Sequence, residues 1–570
     1  MQATIERWLA RDPDAETRAE LQALVKAEDH EEIQRRFAGR LAFGTAGLRA
    51  VVGAGPCRMN RLVVRETTAG LAAYLASTLD GAKSCGVVVG YDGRTHSALF
   101  AHDVASVLAG AGFRVHLADR PVPTPICAYA LRELGAAAAI VVTASHNPPE
   151  YNGYKVYWEN GAQIIPPHDA SIAQAIEVAA TEEIPFEPLE QALASEQVTH
   201  FGADLWQRYL DGVAALSVHT NEGNRADFVL AYTPLHGVGA EATERALKRA
   251  GFTQVHTAAS QREPDGRFPT VRFPNPEEPG AMDAVLELAH EHGAELAIAN
   301  DPDADRLAIA ARHGDDYRML SGDQIGVLLG LDRLESLPAS EQASALVATT
   351  VVSSRLLGRA ATARGSRYLE TLTGFKWIIN SALDLEHAGA HFVFGYEEAL
   401  GYCVGSLVRD KDGISAAVVF AELAAALAHQ GLTVFDRLAT LYRTHGVHLT
   451  QQKSLALSPH RDPKTPTLGD ALRATPPSHI AGRVVERARD LNAGEGDLAP
   501  SDVLIYELAG DARVVVRPSG TEPKLKCYYE ICEKMSTGED LPTAERRAKV
   551  TLRILVEGHQ AELAALEGTT

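Results

Sequence analysis

Cysteine is scarce in this chain: six residues in 570, at positions 57, 85, 127, 403, 527 and 532, without any CxxC pair. That usage is one of a cytosolic, reduced protein with mostly inert thiols, and it argues against a disulfide-stapled secreted one. Positive charge is also short. With 54 Lys and Arg against 74 Asp and Glu, the formal charge is −20, so neither nucleic acid nor an anionic membrane is expected as a general partner. An anionic ligand then needs a locally basic cleft. The longest apolar tract, 416–428, is interrupted by Glu422 and is too short to span a bilayer. Residues 1–7 lack the apolar core of a signal peptide. The expectation is a soluble cytoplasmic protein.

What is present is ordinary globular composition, 46% hydrophobic and 22% charged. At about 150 residues per domain, the length suggests roughly four domains. Residues up to about 40 are charged with helical periodicity, an N-terminal helical extension. Helices are expected over 62–79 and 98–111, with strands over 85–89, 113–117 and 138–142. This alternation predicts βαβ units and a mainly parallel sheet. The rhythm restarts with strands at 226–232, 295–299, 346–351 and 391–394. The Pro-, Thr- and Ser-rich segment 458–476 is expected to be a linker. Beyond it, strands at 503–508, 512–516 and 525–531 and a helix over 542–557 predict an α+β domain. The fold class is therefore α/β: three consecutive mixed α/β domains plus a C-terminal α+β domain. The boundaries are 1–210, 211–325, 326–455 and 456–570.

Polar constellations follow the ends of apolar strands, where open α/β sheets bind ligands. The first is Thr143-Ala144-Ser145-His146-Asn147-Pro148-Pro149. Its serine can act as a nucleophile, its histidine can move a proton, and Lys155 can hold anionic charge. Asp301, Asp303 and Asp305 alternate, so in an extended loop they can converge on one hard cation such as Mg²⁺ or Ca²⁺. An EF-hand fails, because Arg306 and Arg312 stand where it needs glycine and glutamate. The loop Arg517-Pro518-Ser519-Gly520-Thr521 offers a guanidinium, two hydroxyls and a glycine, which suit phosphate. Arg49, Arg94, Arg355, Lys376, Arg409 and Lys411 also sit in loops. Glu397 and Glu398 can accept hydrogen bonds from sugar hydroxyls or cap a helix that follows. Taken singly, each feature has a plainer counterpart: a turn for the serine and Arg517 loops, a solvated acidic turn for the aspartates, and solvated charge for the lone arginines.

Together the motifs Thr143-Ala144-Ser145-His146-Asn147-Pro148, Asp301-Pro302-Asp303-Ala304-Asp305-Arg306, Tyr396-Glu397-Glu398-Ala399-Leu400-Gly401 and Arg517-Pro518-Ser519-Gly520-Thr521 resemble, in this order, the α-D-phosphohexomutases. Gly44-Thr45-Ala46-Gly47-Leu48-Arg49 and Tyr151-Asn152-Gly153-Tyr154-Lys155-Val156-Tyr157 make the phosphoglucomutase/phosphopentomutase branch the nearest match. The resemblance covers nearly the whole chain and implies four domains around a central cleft. It implies a phosphorylated Ser145, with Mg²⁺ held by Ser145, Asp301, Asp303 and Asp305. It further implies substrate contacts from Arg49, Arg306, Lys376, Glu397, Arg409, Arg517, Ser519, Gly520 and Thr521. His146 and Lys155 compete for the acid/base role.

The implied reaction converts α-D-glucose 1-phosphate to glucose 6-phosphate through glucose 1,6-bisphosphate, which also serves as activator. The partners would be small-molecule sugar phosphates, and the oligomeric state is open. Ala399 stands where many hexomutases of the superfamily carry serine, which keeps pentose phosphates open. Phosphomannomutase and sugar-bisphosphate synthase remain within the class. Outside it stand a metal-dependent sugar phosphatase, which would release inorganic phosphate, and a catalytically silent binding protein.

Overall fold

Long apolar runs decide the core of each sheet. Val87–Tyr91, Ala138–Val142 and Leu296–Asn300 are buried at every position, as strands covered on both faces must be. The computed structural model describes residues 1–219, 224–456, 467–496, 498–518 and 524–567, and its contacts divide the chain into two compact units. The first comprises Met1–Leu320 with Leu400–His429, and the second Ser321–Ala399 with Gln430–Thr570.

In the first unit, helices Gln2–Arg11, Ala15–Lys26 and His30–Arg36 form the expected extension. Ile5, Trp8, Leu21 and Ile33 bury their apolar faces against Ala54 and Leu62. Among the described residues, the first sheet runs in the order Leu48–Val51, Tyr151–Trp158, Ala138–Val142, Val87–Tyr91, Val115–Ala118, Val198–Phe201. Its last four strands are parallel; Tyr151–Trp158 and Leu48–Val51 are antiparallel additions, so the sheet is mixed. Two expected bounds shift. Cys85 ends a short helix, Ala82–Cys85, and the strand after it begins at Val87. Helix Arg61–Thr78 starts where the Asn60 side chain accepts a hydrogen bond from the Val63 amide at 2.9 Å.

The second sheet places Leu296–Asn300 and Val255–Thr257 parallel to Leu230–Thr233, with Leu307–His313 returning antiparallel beside Leu296–Asn300. The tract around 416–428 lies in helix Gly413–His429, where buried Glu422 pairs with Arg225 at 2.7 Å. Among the described residues no single helix is long and apolar enough to cross a membrane.

In the second unit, Arg367–Thr371 and His391–Glu397 flank Ala345–Thr350 in parallel. The C-terminal sheet is antiparallel, ordered Val447–Ala456, Lys524–Glu533, Ala512–Pro518, Leu504–Leu508, Arg483–Asp490, His479–Ile480, and helix Leu541–Glu567 packs on it. The expected fold class of three mixed α/β sheets and an antiparallel α+β domain is what the chain forms. The linker expectation changes: residues 457–466 lie outside the described residues, but Leu468–Ala474 is a helix. Thr467 and Asp470 form its capping box, and Leu468 and Leu472 are buried. The final helix is also longer than its expected 542–557.

Candidate active site

Strand direction brings three predicted groups together in the first unit. Ser145 follows the C-terminal end of Ala138–Val142, and Lys155 lies opposite Val141 on the neighbouring antiparallel strand. Ser145 is buried with φ of 51°, a left-handed conformation that turns its side chain out of the strand direction. Its Oγ donates to Asp301 Oδ2 at 2.6 Å and lies 3.2 Å from His146 Nδ1. The aspartates follow strand Leu296–Asn300, and Ala304 at φ of 58° reverses the chain between Asp303 and Asp305. Gly237 allows this loop to seat closely, since a Cβ there would stand 2.3 Å from Pro302 Cα.

All three carboxylates are buried, and one oxygen from each lies within 4.8 Å of the others. Lys155 Nζ donates to Asp303 Oδ2 at 2.7 Å and Asp305 Oδ2 at 2.8 Å. Thr124 donates to Asp303 Oδ2 at 2.7 Å, and Lys411 Nζ stands 3.2 Å from Asp305 Oδ2. Asp303 Oδ1 and Asp305 Oδ1 are buried without a hydrogen-bond partner. Buried carboxylate oxygens left open this way fit a hard divalent cation, and the donor set is entirely oxygen.

Electrostatics follow from this crowding. Burial and the like charges of Asp303 and Asp305 push Asp301 well above the usual carboxylate range. Burial would raise Asp303 as well, but the Lys155 ammonium outweighs it and Asp303 titrates low. Asp305 is also lowered: burial and Asp303 oppose ionisation, and Lys155 and Lys411 prevail. Lys155 is raised, because the two aspartates overcome its burial. Burial, then the guanidiniums of Arg306 and Arg49, drive His146 well below the ordinary imidazole value.

Arg49 is exposed and donates to Asn147 Oδ1 at 3.0 Å. Gly47, at φ of 73°, lets its strand pass so close that a Cβ would stand 1.8 Å from the Tyr154 carbonyl oxygen. The Arg306 amide donates to Asp301 Oδ1 at 3.0 Å. Arg409 does not join this cluster. It donates to the Asn160 carbonyl at 2.7 Å and borders a cavity with Cys85, Gly135 and Ala137, which precede their strands, at the opposite end of the sheet from Ser145. Two residues on, Lys411 takes the place beside Asp305. Lys411, Thr124 and the role of Arg94 are what motif reading left unassigned. The abundance of basic loop residues hinted at Lys411 and Arg94, and no sequence signal pointed to Thr124.

In the second unit, Lys376 lies in the first turn of helix Phe375–His387 instead of a loop. Glu397 Oε1 accepts from the Gly374 amide, the residue before that helix, at 2.8 Å. No helix follows Glu398: the chain turns at Leu400, with φ of 65°, into strand Gly401–Val404. Ser353 donates to Glu398 Oε2 at 3.1 Å, and burial, then Glu397 and Asp323, push the Glu398 carboxyl up to about 7. Arg355 is structural, bound to Glu530 at 2.8 Å. Arg517 is the penultimate residue of strand Ala512–Pro518 and borders a cavity with Leu372, Thr373, Trp377 and Ser501. Ser519, Gly520 and Thr521 lie outside the described residues.

Segments 40–183, 207–314, 321–445 and 481–547 match, in order, the phosphoglucomutase/phosphomannomutase alpha/beta/alpha domains I, II and III and the C-terminal domain of that family. The chain is 38% identical over 566 residues to a probable phosphoribomutase of Schizosaccharomyces pombe, covering 95% of each. It is 36% identical over 556 residues to a phosphopentomutase of Mus musculus, covering 92% of this chain and 89% of that one. It is 39% identical over 493 residues to a probable phosphomannomutase of Haemophilus influenzae, covering 86% and 95% respectively.

Proposed function

Because the chain belongs to the phosphoglucomutase/phosphomannomutase family of the α-D-phosphohexomutase superfamily, we propose that it interconverts α-D-glucose 1-phosphate and glucose 6-phosphate through a phosphoserine at Ser145. The observation that carries this reading is the 2.6 Å hydrogen bond from Ser145 Oγ to Asp301, which joins a nucleophile-type hydroxyl to the carboxylate cluster. Phospho-Ser145 gives its group to the free hydroxyl of the sugar monophosphate. The bisphosphate so formed turns over and returns its other phosphate to Ser145. Mg²⁺, held by Asp301, Asp303, Asp305 and the serine phosphate, would supply charge neutralisation for the transfer.

Lys155 is tied to two carboxylates, and its role here is to balance charge at the transferring group. His146, with Nδ1 beside the serine oxygen, is the group we assign to proton movement. Arg49 and Arg306 are assigned to substrate charge. In the second unit Arg517, Ser519, Gly520 and Thr521 are assigned to the phosphate not reacting, and Lys376 and Glu397 to the sugar. Glucose 1,6-bisphosphate is the activator in this scheme, and the cytoplasm is the proposed compartment.

A pentose reading, ribose 1-phosphate to 5-phosphate, is favoured by two observations. Two of the three relatives above are named for pentose or ribose phosphates, and Ala399 offers no hydroxyl beside Glu397 and Glu398. Turnover with Mg²⁺ and a trace of glucose 1,6-bisphosphate decides between them. Glucose, mannose, glucosamine and ribose 1-phosphates are compared, with product isomer and free phosphate read together. A lead for glucose 1-phosphate is expected; a lead for ribose 1-phosphate selects the second reading. Free phosphate in place of isomer overturns both, because it means that water is the acceptor.

A further inference from the structure

Arg94 is buried, yet it touches neither the carboxylate cluster nor any group assigned to substrate. Its guanidinium is spent on the backbone of the serine loop. One terminal nitrogen donates to the carbonyl of Ser145 at 2.6 Å and to that of Asn147. The other donates to the carbonyls of Pro148 at 2.8 Å and Tyr151 at 3.2 Å. Three carbonyls of the loop and that of Tyr151, the first residue of the strand after it, thus converge on a single planar fork, which an arginine satisfies and a point-like ammonium does not.

The other side of the loop is held by the partner of Arg94. Asp92 Oδ2 lies 3.4 Å from Arg94 Nε and accepts from Thr143 Oγ1 at 2.6 Å, and the same Thr143 oxygen accepts from the Ser145 amide at 2.8 Å. Asp92 Oδ1 accepts from Ser97 Oγ at 2.6 Å. The Ser145 peptide is therefore gripped at its N–H through Thr143 and at its C=O by Arg94. Between these two grips lies the one backbone angle in the loop that L residues rarely adopt. A left-handed serine persists only when its surroundings over-determine it. Phe268, itself buried, covers the guanidinium at 4.9 Å and seals the network from water.

We propose that Arg94 is a positioning residue for phosphoryl transfer: with Asp92 and Thr143 it locks Ser145 in the left-handed conformation that aims Oγ at Asp301. The inference rests on the phosphoserine reading above. The lock is needed because the same oxygen must accept and give up a phosphoryl group in line, and misplacement of a reacting atom by about 1 Å costs on the order of 10²-fold in rate.

The test compares wild type with Arg94→Ala, Arg94→Lys and Thr143→Val. Each is checked for fold by circular dichroism and melting, then assayed for kcat and KM. Hydrogen exchange of the 143–152 peptide is measured in parallel. The expected result is a loss in kcat of about 10²-fold for Arg94→Ala, with KM within about threefold, because Arg94 meets no substrate. Arg94→Lys regains part of that loss. Thr143→Val loses about tenfold, the scale of one hydrogen bond. Exchange at the 143–152 peptide quickens in all three. If Arg94→Ala does not fold, Arg94→Lys and Thr143→Val carry the same comparison. Folded variants with kcat within twofold of wild type, or a loss confined to KM, overturn the proposal. If wild type itself turns over no sugar phosphate, the mutase reading falls. The exchange data then decide alone whether Arg94 orders the loop.

Discussion

Replacing Lys155 by Met removes one positive charge from a buried cluster and keeps most of the apolar stem. In the native site Nζ stands 2.7 Å from Asp303 and 2.8 Å from Asp305, with the lysine side chain 8% exposed and the aspartates essentially inaccessible. At an effective dielectric near 20, each contact represents about 6 kcal/mol of gross attraction. Desolvating the ammonium cancels much of this, so the net effect is set by what remains unpaired. After the substitution Lys411 is the ammonium still beside Asp305, at 3.2 Å, and Asp303 loses its cationic partner. Breaking one side of a buried pair costs about 3–5 kcal/mol, which is the loss expected for Lys155→Met in urea denaturation with EDTA present. A divalent cation supplies the missing charge, so Mg²⁺ stabilises the variant more than wild type. A loss below about 1 kcal/mol in EDTA, or an equal Mg²⁺ gain in both proteins, would refute this charge balance.

Metal removal gives a second test: wild type titrated with Mg²⁺ should gain about 2.7 kcal/mol at a hundred times Kd, read as a concentration-dependent rise in Tm that EDTA reverses. Gly47→Ala is expected to cost about 3 kcal/mol or more and to raise KM, because a Cβ would overlap the Tyr154 carbonyl and push Arg49 aside; melting and steady-state kinetics check both. His559 sets a pH limit. Buried on helix Leu541–Glu567, it lies 3.0 Å from Tyr529 Oη, which accepts from Gln560, and desolvation lowers its pKa to about 4. The folded state refuses a proton that the unfolded chain takes up below pH 6.5, so stability is intact above 6.5, falls as pH drops, and bottoms out near 4. The loss is about 3 kcal/mol, and His559→Leu should flatten this limb in acid denaturation curves.

Much of the chemistry was legible because it sits where apolar strands end. Ala138–Val142 and Leu296–Asn300 have unbroken apolar character, so Ser145 and Asp301 were located as loop residues after buried strands. Strand Val447–Ala456 was not legible: its polar run of Thr, Gln, Gln, Lys and Ser has no buried-strand signature, and it is specified by ten register partners in Lys524–Glu533. The helix at Leu468–Ala474 was hidden by flanking prolines and declared only by its capping box. The packing of Leu400–His429 with Met1–Leu320 is long-range and has no local periodicity to announce it. Arg94 illustrates the same limit at the site. In sequence it is one more arginine after a glycine. Its meaning appears only when four carbonyls, at residues 145 to 151, fold around it.

The phosphoserine itself is the most direct measurement. Dephosphorylated protein is mixed with glucose 1,6-bisphosphate labelled in both phosphates, quenched within one turnover, digested and mapped. The account predicts label on the peptide containing Ser145, discharged when unlabelled sugar monophosphate is added, and none in a folded Ser145→Ala protein, which should also lack turnover. Label elsewhere, or near wild-type turnover by folded Ser145→Ala, would contradict it.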